Sequence, residues 1–178
     1  MIRPGSLSTE KESVTLRRLD IEDATAYFKT IDNGREHLGR FGEIISEKYP
    51  NLQSVEESIL VPDPPDKWRL GIWDDETLVG SINLTPRPRG EAEIGYWVGA
   101  EYVGHGYATT ATRALTQFAR DKFSNLKAKV RQDNVASKKT LIRSGFVTFS
   151  RVHADQGVFE LLRFDHTEAT NALDTSTV

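Results

Sequence analysis

The segment from Glu91 to Phe123 constrains the fold of this chain more than any other stretch. Over residues 91–98 the even positions carry Ala, Ile, Tyr and Val and the odd positions Glu, Glu, Gly and Trp, a period of two that is typical of a strand with two distinct faces. From about Gly106 the apolar residues recur every three or four positions, which predicts an amphipathic helix. Gly104 and Gly106 precede that helix, where unpaired N–H groups and the helix dipole favour negative charge. The segment therefore predicts an anion site, with phosphate as the leading ligand.

Two common phosphate loops do not match these residues. A loop for nucleoside triphosphates needs Gly-Lys-Ser/Thr at the start of the helix, whereas Gly106 is followed by Tyr107 and Ala108. A dinucleotide loop would have its third Gly or Ala where this sequence has Thr109, and no clear βαβ unit with an acidic residue follows. Hydrolysis of nucleoside triphosphates and dinucleotide binding are therefore disfavoured.

A second motif lies downstream of the helix. After a strand predicted over residues 126–132, Asn134 can cap a short helix, and Ser137 falls in the first turn of that helix. Gly145 ends the helix, and a hairpin of two further strands follows. The spacing of three between Asn and Ser turns both side chains toward the same end of the predicted sheet.

Together these motifs resemble those of the GNAT superfamily of acetyl-CoA-dependent N-acetyltransferases. The family's loop, Gln/Arg-x-x-Gly-x-Gly/Ala, corresponds to residues 103–108, and its Asn-x-x-Ser followed by Leu and Gly-Phe corresponds to residues 134–146. The departure is Val103, where the family usually has Gln or Arg, so one polar contact to the pyrophosphate is missing. The stretches 78–84 and 92–97 resemble the branch that acetylates the N-termini of ribosomal proteins.

The resemblance implies a fold and a cosubstrate. The fold is a single α/β domain of the α+β type, with a mixed, mostly antiparallel sheet that is flanked by helices and splayed where acetyl-CoA binds. We expect this domain over residues 13–166, with disordered tails over 1–12 and 167–178. The residues expected to contact acetyl-CoA are Trp97, Val98, Val103, Gly104, His105, Gly106, Tyr107, Ala108, Thr109, Asn134 and Ser137.

The implied reaction is attack of a neutral amine on the acetyl thioester, with Ser137 as the acid that protonates the departing thiolate. The tetrahedral intermediate needs N–H donors for its oxyanion, and we expect them from the backbone between Trp97 and Gly99. Glu93 and His153 are the candidate bases, and the choice between them stays open. A peptide α-amine has a pKa of about 8, against about 10.4 for lysine, so it demands only a modest base.

Composition limits the remaining possibilities. The 178 residues suit one domain, and the absence of cysteine excludes disulfides, thiolate metal sites and a cysteine nucleophile. A net charge of −3 gives no general attraction to nucleic acid or to anionic membranes, and no His, Asp and Glu residues have metal-ligand spacing. Because the sequence shows neither an apolar leader nor an apolar run of membrane length, we expect a cytoplasmic protein. The family resemblance adds a homodimer as an expectation.

The sequence constrains the identity of the acceptor amine less than that of the acetyl donor. A protein N-terminal α-amine comes first, and a small amine such as a polyamine, an amino acid or an aminoglycoside comes second. A third reading is an acyl-CoA-binding module without turnover, which Val103 favours and which Gly106, Asn134 and Ser137 disfavour.

Overall fold

A computed structural model describes residues 4–40 and 45–165 of the chain. Within these ranges the strands are β1 Ser6–Ser8, β2 Val14–Arg18, β3 Trp68–Asp74, β4 Thr77–Arg87, β5 Glu91–Val98, β6 Asn125–Arg131, β7 Phe146–Ala154 and β8 Gly157–Phe164. The α-helices are α1 Ala24–Asp32, α2 Arg35–Gly39, α3 Ile45–Lys48, α4 Leu52–Leu60, α5 Tyr107–Ala119 and α6 Val135–Arg143. None of these helices is long and apolar enough to cross a membrane.

The strands described here form one sheet in the order β1-β2-β3-β4-β5-β6-β8-β7. Neighbouring strands are antiparallel except β5 and β6, which run parallel. The parallel pairing joins only residues 91–93 of β5 to residues 125–127 of β6, although both strands continue. The two strands therefore diverge beyond Glu93. The predicted single α/β domain with a mixed, mostly antiparallel sheet is confirmed, and this divergence is the splay in that sheet.

Two apolar clusters cover the two faces of the sheet. Helix α5 buries Ala111, Leu115 and Ala119 against the face that carries Ile94 of β5. Helices α1 and α4 pack on the other face, and their cluster includes Trp97 of β5. Because successive side chains of a strand point to opposite faces, β5 contributes to both cores and is held between two helical layers. The splay therefore opens beside a strand that is packed on both faces.

The disordered tail predicted for residues 1–12 is wrong for Ser6–Ser8, which form β1 at the edge of the sheet. These residues pair with β2, and Leu7 packs against the larger apolar cluster. Strand pairing uses backbone groups, so a short polar segment can join a sheet edge without a strong sequence pattern. The tail predicted for residues 167–178 lies outside the described residues.

Candidate active site

Helix α5 begins at Tyr107, directly after a loop with two glycines in left-handed backbone conformations. Gly104 has a φ of 88° and Gly106 a φ of 82°, values at which residues with side chains are strained. Nothing lies within 4 Å of the position that a Cβ atom would take on Gly104. The loop therefore leaves its backbone and the first turn of α5 open to a ligand, which is the arrangement that an anion site needs.

The side chain of Tyr107 ties the glycine loop to the end of β3. Its hydroxyl donates a hydrogen bond to Asp74 Oδ2, and this bond raises the pKa of Tyr107 to about 12. Hydrogen bonds with Ser13 and with Tyr107 hold the pKa of Asp74 below its ordinary value. Near neutral pH the pair is therefore a phenol bonded to a carboxylate, and the first residue of α5 is fixed against the sheet.

Lys11 contacts the glycine loop, although it belongs to the segment 1–12 that is predicted to be a disordered tail. Its Nζ donates to the carbonyl oxygen of His105 at 2.6 Å and lies 3.5 Å from the position of a Cβ atom on Gly106. The same ammonium lies 5.4 Å from the ring centroid of Tyr107. Val103, by contrast, is 48% exposed and carries no polar side-chain group. Lys11 therefore brings to the loop a positive charge that Val103 does not provide.

The second motif folds as a capped helix beside β5. Asn134 is buried at the N-terminus of α6, where its Oδ1 accepts a hydrogen bond from the Ser137 N–H at 3.1 Å. Ser137 Oγ lies 2.9 Å from Tyr96 Oη, which also donates to the Ser137 carbonyl oxygen at 3.1 Å. Tyr96 lies on β5 beyond its last pairing with β6, so this contact joins the strand to α6 at the splay. Periodicity alone does not reveal the contact between the two hydroxyls.

Two cavities meet at this point. The first, called the loop cavity, has a volume of about 370 Å³ and runs along the glycine loop and α6. The second, called the strand cavity, has a volume of about 490 Å³ and is lined by residues of both β5 and β6. Tyr96, Trp97, Asn134 and Ser137 line both cavities. A molecule in one cavity can therefore touch a molecule in the other.

The loop cavity gathers ten of the eleven residues that the sequence predicts for coenzyme contact. They are Trp97, Val98, Val103, Gly104, Gly106, Tyr107, Ala108, Thr109, Asn134 and Ser137. The exception is His105, which is exposed and contributes its carbonyl oxygen to Lys11. Among residues 4–40 and 45–165, no group of three or more His, Asp or Glu side chains is placed to hold a metal ion.

The candidate bases lie in different places. Glu93 lines the strand cavity, and its Oε2 accepts hydrogen bonds from Arg87 Nη2 at 2.9 Å and Arg87 Nε at 3.2 Å. His153 is exposed on β7, the outermost strand, and is not among the residues that line either cavity. His37 of α2, which carries no signal in the sequence, lines the loop cavity. The structure therefore brings Glu93 and His37 to the cavities and leaves His153 two strands away from β6.

Backbone donors at the splay follow from the alternation of β5. The Gly99 N–H donates to the Val79 carbonyl oxygen at 2.9 Å, so it is used within the sheet. Successive residues of a strand direct their N–H groups to opposite neighbouring strands. Trp97 is two residues before Gly99, so its N–H also points toward β4. The N–H of Val98 consequently faces the gap toward β6. Within the predicted donor segment 97–99, Val98 is the residue whose amide is directed at the splay.

Comparison with known proteins gives a match to the acetyltransferase (GNAT) domain family over residues 13–147. A curated relative is the Bacillus subtilis protein YdaF, whose name assigns it provisionally to the ribosomal N-acetyltransferases, with 28% identity over 120 residues. The alignment covers 61% of this chain and 62% of YdaF, so the chain spans about three fifths of that relative's length.

Several solved structures share the fold. RimL, described as a ribosomal L7/L12 alpha-N-protein acetyltransferase in complex with coenzyme A, gives a TM-score of 0.76 at 16% identity, covering 86% of this chain and 94% of RimL. Mycobacterium smegmatis RimJ, in complex with a CoA disulfide, gives a TM-score of 0.73 at 21% identity, covering 94% of this chain and 91% of RimJ. At identities this low, the likeness is one of fold.

Proposed function

The chain belongs to the acetyltransferase (GNAT) family, and from this premise we propose that it transfers the acetyl group of acetyl-CoA to a protein N-terminal α-amine. The observation that carries the proposal is the meeting of the loop cavity and the strand cavity where β5 leaves β6. Tyr96, Trp97, Asn134 and Ser137 line both, so an acetyl donor in one and an amine in the other meet at these residues. When both substrates are bound in adjacent cavities, the bimolecular reaction becomes effectively unimolecular.

The loop cavity suits acetyl-CoA, which supplies a thioester-activated acetyl group when bound. Backbone N–H groups of the glycine loop and of the α5 N-terminus take the pyrophosphate, and the open space at Gly104 allows its close approach. Lys11 adds a positive charge beside the same loop, and Lys139 of α6 lines the cavity. Lys11 thus compensates for the uncharged Val103.

Ser137 is the proton donor to the sulfur in this proposal. Asn134 fixes the first turn of α6, and Tyr96, whose hydroxyl donates to the Ser137 carbonyl oxygen, orients the Ser137 hydroxyl by accepting its hydrogen bond at 2.9 Å. Ser137 takes back a proton from solvent after it protonates the sulfur, and the acceptor amine loses one proton in the same reaction, so the protons balance. The sequence motifs do not indicate Tyr96.

The acceptor side uses the strand cavity. Glu93 is the base there, acting on the ammonium of the acceptor through water, while Arg87 holds its carboxylate in place. The Val98 N–H donates to the oxygen on which negative charge develops. Glu93→Gln should lower kcat strongly while His37→Gln, its control in the neighbouring cavity, changes kcat little. The reverse ranking would assign the base to His37 and remove Glu93 from the mechanism.

The acceptor class rests on the relatives and on amine chemistry. The name of YdaF connects it with ribosomal N-acetylation, and the description of RimL connects it with α-amino acetylation of a ribosomal protein. An α-amine with a pKa of about 8 is partly neutral at pH 7, so the single carboxylate of Glu93 suffices. A homodimer and a cytoplasmic location stay predictions.

The experiment that tests this function measures free coenzyme A released from acetyl-CoA in the presence of candidate acceptors. The panel holds short peptides with free N-termini, their N-blocked twins, polyamines and aminoglycosides, and calorimetry follows coenzyme binding in parallel. Turnover on the free peptides alone is the expected result. Turnover on polyamines or aminoglycosides alone would assign a small-amine acceptor, and tight binding without turnover would favour a binding module.

A further inference from the structure

Asn83 of β4 lines the strand cavity and has no role in the acetyl transfer proposed for that cavity. It lies directly opposite Gly95 in the antiparallel pairing of β4 with β5. Residues directly opposite each other in such a pair share a face of the sheet, and so do side chains two residues apart on one strand. Asn83 therefore lies on the face that carries Glu93, the proposed base, and Trp97, which lines both cavities.

The side-chain amide of Asn83 makes no hydrogen bond within residues 4–40 and 45–165. Asn83 is half-buried, and its Oδ1 and Nδ2 both remain accessible. Ser81, two residues earlier on the same face, is instead buried, and its hydroxyl donates to the Leu70 carbonyl oxygen at 2.9 Å. An amide carries two N–H donors and an acceptor oxygen. Asn83 therefore presents both kinds of group to a molecule in the strand cavity.

Gly95 keeps the space beside this amide open. A Cβ atom on Gly95 would lie 3.4 Å from Asn83 Nδ2 and 3.5 Å from Asn83 Oδ1. These distances correspond to van der Waals contact, so an alanine would fit there but would cover the amide. Gly95 is not among the glycines with a positive φ, so its backbone conformation does not require glycine. The missing side chain therefore has its structural effect at Asn83.

The geometry of an acceptor peptide matches this arrangement. Two residues along a strand span about 7 Å, and one residue of extended chain spans about 3.5 Å. The two cavities meet at Trp97, which is two residues from Gly95 on β5. A peptide whose amine lies beside Trp97 and whose chain runs toward Gly95 therefore brings its first peptide bond next to Asn83. A polyamine has only methylene groups at the same distance from its amine.

We propose that Asn83 recognises the first peptide bond of the acceptor and that Gly95 keeps its amide accessible. Asn83 Nδ2 donates to the carbonyl oxygen of the first peptide residue, and Asn83 Oδ1 accepts from the N–H of the second. This role rests on the proposed function, because it assigns the selection of peptides to the same strand cavity. A site that hydrogen-bonds a substrate group rejects an analogue without that group, so Asn83 favours a peptide α-amine over a polyamine.

Steady-state kinetics with a short peptide and its depsipeptide twin test this role. The depsipeptide has an ester oxygen in place of the first peptide N–H, so it keeps the α-amine but cannot donate to Asn83 Oδ1. The wild type should use the peptide with a kcat/KM at least about tenfold higher than that of the depsipeptide. Asn83→Leu should raise KM for the peptide about tenfold and reduce the peptide-to-depsipeptide ratio to about threefold or less. The Kd of acetyl-CoA should stay unchanged.

Gly95→Ala is an independent test, because it leaves Asn83 in place and covers its amide. It should also raise KM for the peptide, and the double variant should be no worse than Asn83→Leu alone, since both changes remove the same contact. Asn125→Leu is the matched control, because Asn125 is a half-buried asparagine on β6 that lines neither cavity. It should leave the peptide KM unchanged, and circular dichroism should show that all the variants are folded.

Two results would overturn the role of Asn83 alone: equal use of the peptide and the depsipeptide by the wild type, or an unchanged peptide KM for Asn83→Leu. In both cases the peptide is still acetylated, so the proposed function stands. A wild type that acetylates no peptide would overturn the proposed function and the role of Asn83 with it.

Discussion

Replacing Lys11 with methionine should weaken acetyl-CoA binding by about 5- to 30-fold. Lys11 Nζ lies 2.6 Å from the His105 carbonyl oxygen and beside Gly106, so a pyrophosphate held by this loop lies within a few ångströms of the ammonium. Two unit charges about 4 Å apart interact with about 4 kcal/mol at an effective dielectric constant of about 20. Because Lys11 is exposed, solvent screening reduces the gain to about 1–2 kcal/mol, which corresponds to that range of Kd.

The assay is calorimetric titration of acetyl-CoA at low and high salt, together with S-acetylpantetheine, which has no phosphate. Lys11→Met should affect only acetyl-CoA, and the loss should shrink as salt rises. Lys122→Met is the matched control, because Lys122 Nζ also donates to a backbone carbonyl and lies over an aromatic ring, but at the far end of α5. In the Lys11→Met background, Val103→Arg should recover affinity. An unchanged Kd for Lys11→Met would refute the assignment of Lys11 as the compensating cation.

The remaining predictions concern the loop, the hydroxyl pair and one buried carboxylate. Gly106→Glu should abolish coenzyme binding in calorimetry, since it sets a carboxylate against the pyrophosphate and strains a φ of 82°; retained binding would contradict the loop assignment. Ser137→Ala and Tyr96→Phe should lower kcat by about tenfold or more with little change in KM, and an unaltered rate for both would remove the hydroxyl pair from the mechanism. Glu160→Gln should lower the free energy of unfolding by about 1–3 kcal/mol in urea denaturation at pH 7. The reason is that Glu160 is buried and its Oε2 lies 2.6 Å from Lys138 Nζ, so the substitution breaks a buried ion pair. The hydrogen bond with Lys138 lowers the pKa of Glu160 below its ordinary value of 4.5. The difference in unfolding free energy between the variant and the wild type should therefore be fully present above pH 4.5 and disappear as the pH falls through the lowered pKa. A difference that does not change with pH would contradict this cause.

The glycine loop and the capped helix could be predicted because their requirements are local. A backbone with positive φ favours glycine at 104 and 106, and a helix N-terminus favours Asn134, so each position leaves a direct mark in the sequence. The period of two over β5 also placed Tyr96 and Val98 on one face and Trp97 on the other, as the two core clusters have them.

Contacts between distant segments could not be predicted in the same way. Lys11 and His105 are far apart in the chain, and their contact depends on how the segment after β1 passes the loop. The Tyr96–Ser137 contact depends on the position of α6 over the splay, which no periodicity encodes. The distance of His153 from the two cavities depends on strand order, because β8 lies between β7 and β6, and no local pattern in the sequence encodes that order.

The face of β5 that carries Glu93 can be predicted from the sequence, but the cavity beside it depends on the fold. The alternation of β5 places Glu93 on the face opposite Ile94, but only the early end of the β5–β6 pairing opens a cavity beside it. The same opening exposes the amide side of Val98 to the splay. One structural feature, the divergence of two parallel strands, therefore places the proposed base, the proposed backbone donor and the hydroxyl pair beside the two cavities that meet there.

The most direct test of the account is to locate the acetyl group on a product peptide by fragment mass spectrometry. The substrate peptide carries both a free N-terminus and an internal lysine, and the enzyme receives acetyl-CoA as the donor. A protein N-terminal acetyltransferase should place one acetyl group on the N-terminal nitrogen and none on the N-blocked twin of the peptide. Acetylation of the lysine alone, or of neither nitrogen while coenzyme A binds tightly, would contradict it.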